Sequence, residues 1–344
     1  MPDDLHPTPA PEAPSARATI RTVAADAGVS VAAVSKVLRN AYGVSDGLRA
    51  RVVASIDKLG YRPSKTAQRL RGRSTTVGTL LVEIGTPFLP QVIDGVQDVL
   101  APSGYQTMIG VGRAQTHLET ELIESMIDHG MAGLILIAPL LPPETVAFYA
   151  RRIPTVVIAT HEPTATTFDA VNGDDRRGGA IATQALLDRG HRDVGFLSLR
   201  GRSGIKPAVA TEREAGYREA LAAAGLAPRI FDLGASPDGR DAELAAFVAA
   251  SDRPRAVVCW SDLDAIPLRG AAARAGLRVP EDLAIVGYDD TPMTASPVID
   301  LASVDQNGRE QGRLAAQTLL SRVDGRQKAR HLTIEPRLVV RPSL

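Results

Sequence analysis

Two acidic pairs, a Ser-Asp pair and one arginine are the residues of this 344-residue chain most suited to holding a small polar molecule. Asp174-Asp175 and Asp289-Asp290 each follow a short apolar run, Ser261-Asp262 follows Trp260 at the end of another, and Arg213 comes after a loop beginning at Arg200. One guanidinium and several carboxylates around a concave site can hold the hydroxyls of a sugar-sized molecule through paired and charge-assisted hydrogen bonds. Each Asp taken alone is equally well explained as a helix N-cap. Asp289-Asp290 would also suit a magnesium ion in a hydrolase, but no nucleophile accompanies it. Dinucleotide and phosphate loops, the Gly-x-Ser-x-Gly elbow and His-Glu-x-x-His are all missing from the sequence, so binding without a chemical step is the simpler expectation. His191, after Gly190, has the type that suits a helix C-terminus, and Cys259 lies in an apolar strand as a core residue.

The elements carrying these residues alternate from Thr76 onward. Strands are expected at 77–82, 105–110, 132–137, 155–159, 170–171, 194–197, 256–260, 283–287 and 302–304, with helices at 88–100, 119–129, 178–187, 212–224, 265–275 and 310–323. Strands alternating with crossover helices imply a mostly parallel sheet covered on both faces. The amount of sheet exceeds one modest domain, so an α/β fold of two similar lobes with a crevice between them is expected. Ligands of such folds sit outside the carboxyl ends of the strands, where the polar pairs fall.

Residues 19–73 have a different character. Thr19 is a candidate N-cap for a short helix whose Ile20, Val23, Ala24 and Ala27 form one apolar stripe, and Gly28 ends it. Ser30 can cap a second helix with Val34, Val37 and Leu38 inward, leaving Val31, Ala32, Ser35 and Lys36 outward. A third runs from about Ser45 to Gly60 with Leu48, Val52, Ile56 and Leu59 inward. Three helices around one small core with an exposed second helix is the helix-turn-helix arrangement that enters a DNA major groove. Charge agrees: this stretch holds 11 Lys and Arg against 3 Asp and Glu, whereas residues 74–344 hold 27 against 33. The formal net charge of zero hides a basic head on an acidic body. At the end of the basic stretch, Pro63 and Gly72 bracket barely two turns, with Arg62, Lys65, Arg69, Arg71 and Arg73 around them, a helix too short to be stable alone.

One Cys and six His leave little scope for a disulfide framework or a structural metal, and no cofactor is expected. The chain begins with polar and acidic residues and contains no long apolar run, so neither an export signal nor a membrane span is expected. A cytoplasmic location follows as the expectation.

Taken in order, these residues resemble the family of bacterial transcription regulators typified by the lactose and purine repressors. Thr19 to Ser30 with Val34-Ser35-Lys36-Val37-Leu38 is similar to the family's helix-turn-helix signature. Leu59-Gly60-Tyr61-Arg62-Pro63 and Leu70 are similar to the end of its third helix and its hinge helix. The likeness continues through Phe88, Gly190-His191-Arg192, Arg213-Glu214-Ala215-Gly216-Tyr217, Gly287-Tyr288-Asp289-Asp290 and Gln306. It implies an all-helical head followed by two α/β lobes like those of periplasmic binding proteins. It also implies a homodimer on palindromic double-stranded operator DNA, and a small-molecule effector in the cleft.

The resemblance implies roles as well. Val31 and Ala32 occupy operator-distinguishing positions, Lys36 a DNA-contacting position usually held by Arg, and Thr19, Ser30 and Ser35 backbone-contacting positions. Leu70, with Lys65 and Ala67 in the same hinge, would wedge into the minor groove. Arg213 and Asp289 match effector-contacting residues. Ser261-Asp262 stands where Asn-Asp is common, Asp174-Asp175 where Asp-Asn is common, and Gln306 at a polar position between lobes; Trp260 is counted with this set. Residues 104–108 and 124–126 lean slightly toward gluconate-type repressors, and hence toward a sugar or sugar acid. No leucine heptads precede Leu344, which favours a dimer over a tetramer.

The expected boundaries are a disordered extension over 1–18, the helix-turn-helix domain over 19–62, a hinge and linker over 63–75, and the effector domain over 76–344. Its lobes are expected at 76–190 plus 307–325 and at 191–303 plus 330–344. A transport-type binding protein, or an enzyme, would share the two lobes but not the basic head.

Overall fold

A computed structural model describes residues 18–38, 41–61, 74–199, 207–234 and 239–344. The chain divides into two units, 1–73 and 74–344, each described by itself. The expected extension over 1–18, apart from Ala18, and the hinge residues 63–73 lie outside the described residues.

In the first unit the helices are α1 (Ile20–Asp26), α2 (Val31–Leu38) and α3 (Asp46–Leu59). Thr19 caps α1 reciprocally: its hydroxyl accepts from Thr22 N at 3.3 Å, and Thr22 Oγ1 accepts from Thr19 N at 2.8 Å. Ser30 Oγ accepts from Ala33 N at 3.1 Å, and Gly60 closes α3 in the left-handed region at φ +57°. Val23, Val34 and Val52, one from each helix, are fully buried against one another. Each such side chain stabilises the domain by about 1.5–3 kcal/mol, and Ala24, Ala27, Val37 and Tyr61 complete the buried cluster.

The second unit opens with β1 (Thr76–Leu81), α4 (Phe88–Leu100), β2 (Gln106–Val111), α5 (Thr116–Asp128), β3 (Gly133–Ile137), α6 (Pro143–Ala150), β4 (Thr155–Ile158) and β5 (Asp169–Gly173). Then come α7 (Asp175–Asp188), β6 (Val194–Leu199), α8 (Ala208–Ala223), β7 (Arg229–Leu233), α9 (Arg240–Ala249), β8 (Ala256–Cys259), α10 (Asp262–Arg274) and β9 (Ala284–Tyr288). The last elements are a short 3-10 turn (Pro292–Ala295), β10 (Ser303–Asp305), α11 (Gly308–Val323), β11 (His331–Ile334) and β12 (Arg337–Val339).

The strands form two six-stranded sheets, ordered β11-β5-β4-β3-β1-β2 and β12-β10-β9-β8-β6-β7. Every pairing is parallel except β10 with β12. Each sheet has an apolar core on both faces, because its central strands, β1, β3 and β4 in one and β6, β8 and β9 in the other, are almost wholly buried and mostly apolar. The chain crosses between lobes three times, at Asp174, at Gln306-Asn307 and at Glu335-Pro336.

Two expected lobe boundaries need correcting. Residues 175–190 do not belong with the first lobe: Ala182, Leu186 and Leu187 of α7 pack into the second-lobe core with Phe196 and Tyr217. Residues 331–334 do not belong with the second: β11 pairs with β5 of the first sheet. The cause of the latter is Asp169, buried at the head of β5. It accepts from Arg330 N at 2.6 Å, Arg322 Nε at 2.8 Å and Arg326 Nη2 at 2.7 Å, so it draws the returning chain onto its own strand. β7, α9, β11 and β12 were not anticipated at all.

The lobes share a packing device. In the first, a Cβ on Gly95 of α4 would come 1.9 Å from Arg309 O, and one on Gly312 of α11 would come 2.0 Å from Val92 O. In the second, a Cβ on Gly179 of α7 would come 2.0 Å from Arg213 O, and one on Gly216 of α8 would come 1.8 Å from Arg176 O. Backbone therefore touches backbone where each helix pair crosses.

Candidate functional sites

Four crevice-side strand ends, those of β4, β5, β8 and β9, bring their following residues around Arg213. The α8 helix that carries Arg213 begins four residues earlier than expected, at Ala208, so Arg213 lies in its second turn. Arg213 is 3% exposed. Nε donates to Asp175 Oδ1 at 2.7 Å, and Nη1 donates to the Trp260 carbonyl at 2.6 Å and to Asp289 Oδ1 at 3.5 Å. The Tyr288 ring lies beneath it, 3.7 Å from centroid to the guanidinium carbon. Burial works against this charge, but Asp175, Tyr288 and Asp289 together raise its pKa above the ordinary arginine value.

Asp289 sits at φ +106°, a strained position for a residue with a Cβ, and three side chains hold it there. Ser261 Oγ donates to its Oδ2 at 2.9 Å, and Gln306 Nε2 donates to its Oδ1 at 2.6 Å beside Arg213. Burial pushes its carboxyl up to about 6, with Arg213, Ser261 and Gln306 pulling the other way. Asp175, the first residue of α7, is buried too, yet Arg213 and His161 hold it below the usual carboxylate range. Its second oxygen accepts from His161 Nε2 at 2.8 Å. Of the sequence candidates, Asp175, Arg213, Trp260, Ser261, Asp289 and Gln306 are thus brought together.

Asp174 and Asp262 have other partners. Asp174 caps α7 by accepting from Arg177 N at 3.0 Å. Asp262 turns into its own lobe, accepting from Thr291 N at 2.8 Å and Ser303 Oγ at 2.7 Å, where burial and Asp289 push it up to about 7. It braces the loop carrying Asp289. Two contributors were missed. His161 lies just past β4, where the strand-end rule that singled out the Asp pairs applies equally. Asp264, in the first turn of α10, binds both the Trp260 indole N–H and Arg240, and so fixes the indole edge; Trp260 precedes that helix, so no helical spacing signals the pair.

In the first unit Thr19, Ser30, Ala32 and Lys36 are exposed on the head. Ser35 is not outward as expected: it is 9% exposed, and Val31 is half-buried. On a helix of 3.6 residues per turn, positions 31, 34, 35 and 38 share one face, so Ser35 shares the inward stripe with Val34. Lys65, Ala67 and Leu70 lie outside the described residues. Among the described residues no helix is long and apolar enough to cross a membrane.

Residues 19–64 match the model of bacterial regulatory proteins of the lacI family, and residues 183–344 match a periplasmic binding protein-like domain. The HTH-type transcriptional repressor PurR of Vibrio campbellii is 32% identical over 335 residues, spanning 94% of this chain and 98% of that protein. The ribose operon repressor of Haemophilus influenzae is 31% identical over 332 residues, spanning 95% and 98%. Among solved structures, a transcriptional regulator CelR–cellobiose complex superposes with a TM-score of 0.69 at 28% identity, covering 95% of this chain and 100% of that one. The lac repressor dimer bound to operator and the anti-inducer ONPF superposes at 0.82 and 23% identity, covering 95% and 99%, a likeness of fold. With relatives matched over almost their whole length at this identity, the chain belongs to the LacI family of bacterial transcription regulators.

Proposed function

We propose that the chain is a cytoplasmic, homodimeric repressor. It reads a palindromic operator through α2 and the hinge residues Lys65, Ala67 and Leu70, and a sugar-type ligand held by the Arg213 cluster controls it. The observation that carries this reading is the Arg213–Asp175–Asp289 cluster. Its donors and acceptors are fixed in advance by Ser261, Gln306 and the Tyr288 face, which is the condition for selecting one small polar molecule. Trp260 adds an aromatic ring beside them, suited to the apolar face of a pyranose or furanose. The cellobiose complex and the ribose operon repressor among the relatives point to the same ligand class. The gluconate leaning draws nothing from the site: Met108 and Ile109 are exposed on edge strand β2, and Glu124 binds Tyr149.

Control needs no chemistry. A ligand that prefers one lobe arrangement shifts the population toward it, and DNA must alter ligand affinity by the same coupling free energy. Leu70 from each copy of a dimer would unstack a central base step, so operator affinity depends on both copies reaching it together. Two measurements test the reading. Recovery of bound genomic fragments at a stated, near-physiological salt concentration should yield a few palindromic sites. Trp260 is the single tryptophan of the chain, so its fluorescence, titrated with pentoses, hexoses and disaccharides, should report binding at the cluster. Uniform recovery across the genome would overturn the operator, and a silent Trp260 with every sugar but a response to a nucleobase would overturn the ligand class.

A further inference from the structure

His161 and Asp175 belong to different lobes. His161 follows β4 of the first sheet, on a turn whose Ala159 sits at φ +60°. The turn is pinned to the neighbouring strand: Asn172 Oδ1 accepts from Thr160 N at 2.8 Å, and Asn172 Nδ2 donates to Thr160 O at 2.9 Å. Asp175 opens α7, which packs in the second lobe, and its other oxygen holds Arg213. The imidazole–carboxylate bond at 2.8 Å therefore spans the crevice and ends on the residue that orients the guanidinium. Asp175 is 1% exposed, whereas the imidazole is 26% exposed, so the bond lies at the edge of the cluster open to solvent.

We propose that His161 is a positioning residue of the effector site, one that ties the first lobe to Asp175 when protonated and thereby makes the opening of the crevice depend on pH. The proposal rests on the reading of the crevice as the effector site. The charged groups facing the imidazole are Asp175 from α7 and Glu212 and Arg213 from α8; on its own turn, Glu162 is engaged by the Thr164 hydroxyl at 2.6 Å. The Asp175 bond holds His161 above its ordinary value of 6.5; burial and Arg213 oppose this, and Glu212 adds to it. A raised histidine contributes its tie fully below that ordinary value and loses it as pH rises through the higher value in the folded state. Neutral imidazole still donates Nε2–H to Asp175, but without the charge the bond is weaker.

The test uses the full chain without ligand or DNA, with acrylamide as the probe of access to Trp260. In the wild type, quenching at pH 6 should be low and should rise roughly two-fold or more by pH 9 as the tied population falls. His161→Gln keeps a donor without a charge; its quenching should be the same at both ends of the range. His161→Ala should be easily quenched throughout. Coincident wild-type and His161→Gln curves would overturn the proposal, because any remaining pH dependence would then come from other groups around the indole. Should His161→Ala fail to fold, the imidazole resonance of His161 supplies the second measurement: its titration in the wild type should fall toward the ordinary value in Asp175→Asn, and an unmoved titration would overturn the tie. No operator or sugar enters either experiment, so failure here is distinguishable from failure of the effector reading, which the sugar titration tests.

Discussion

The guanidinium of Arg213 lies over the Tyr288 ring, 3.7 Å from its centroid, while its edge is bound to Asp175 at 2.7 Å. Face and edge are both in use, which a lysine cannot reproduce because its ammonium has neither the plane nor the fork. Arg213→Met removes the cation shared by two buried carboxylates, Asp175 and Asp289. Breaking a buried pair in this way costs about 3–5 kcal/mol. Urea denaturation of Arg213→Met should show that loss. Adding Asp175→Asn should restore part of it, since the uncompensated charge goes too. Arg213→Lys should retain more stability than Arg213→Met but lose the Trp260 response to sugar.

Packing should transmit to the same residue from the other side. Gly179 has no room for a Cβ, which would stand 2.0 Å from the Arg213 carbonyl oxygen. A methyl group there must push α7 and α8 apart and move Arg213 relative to Asp175. Overpacking of this kind costs about 1–3 kcal/mol, occasionally more. Gly179→Ala should therefore weaken sugar binding together with stability. Gly312→Ala, at the matching crossing of the first lobe, should reduce stability by a similar amount while leaving Arg213 on its partners. Chemical denaturation paired with Trp260 titration separates the two.

Glu119 supplies a pH-dependent contribution to stability away from the cluster. It is fully buried on α5, and both its oxygens accept from Leu140 N, at 3.2 and 3.0 Å. Burial pushes its carboxyl up to about 7 from an ordinary 4.5, and the Leu140 and Leu141 amides only partly offset this. A carboxyl raised on folding binds its proton more tightly in the native state, so the native state loses stability as pH climbs from about 4.5 to about 7. Glu119→Gln keeps an acceptor for Leu140 and has no charge to bury. It should come close to the wild type at pH 4.5 and exceed it by about 3 kcal/mol above pH 7. Denaturation across pH 4.5–8 checks the sign: a constant difference would mean the carboxyl does not titrate there.

The residues that can be read from sequence are those governed by local rules. Val23, Val34 and Val52 follow helical period, Thr19 and Gly60 follow cap chemistry, and the positions of Asp175, Ser261 and Asp289 follow from strand ends. Asp174 and Asp262 show where those rules stop. An Asp beside a helix start looks the same whether it caps the helix, braces a loop or faces a ligand, and only the distant Thr291 and Ser303 decide the case for Asp262. The sheet to which β11 belongs is likewise decided by Asp169, more than 150 residues earlier in the chain, through its bonds to Arg322 and Arg326. His161 was legible by the strand-end rule, but its value comes from Asp175 across the crevice, a pairing that no spacing encodes.

The head offers the last contrast, between Lys36 and Ser35. Lys36 is exposed in the final turn of α2, whereas Ser35 is 9% exposed on the face shared with Val34. Lys36→Ala should leave the fold of the head intact and weaken binding to every DNA sequence about equally. It should also lower by about one the slope of log affinity against log salt, as expected when one phosphate contact is lost. Ser35→Leu instead puts bulk into a buried position that holds a small polar side chain, and should unfold the head at a lower urea concentration. Ala32 is exposed on α2 and has no core role to lose. Ala32→Gln should therefore keep stability and salt slope while changing which fragments are recovered from a genomic pool, because a side chain reaching base edges alters discrimination and leaves the phosphate contribution untouched. Fragment selection on Lys36→Ala and Ala32→Gln side by side, each at two salt concentrations, resolves the two roles. An Ala32→Gln protein that recovers the wild-type fragments would remove α2 from the reading of sequence.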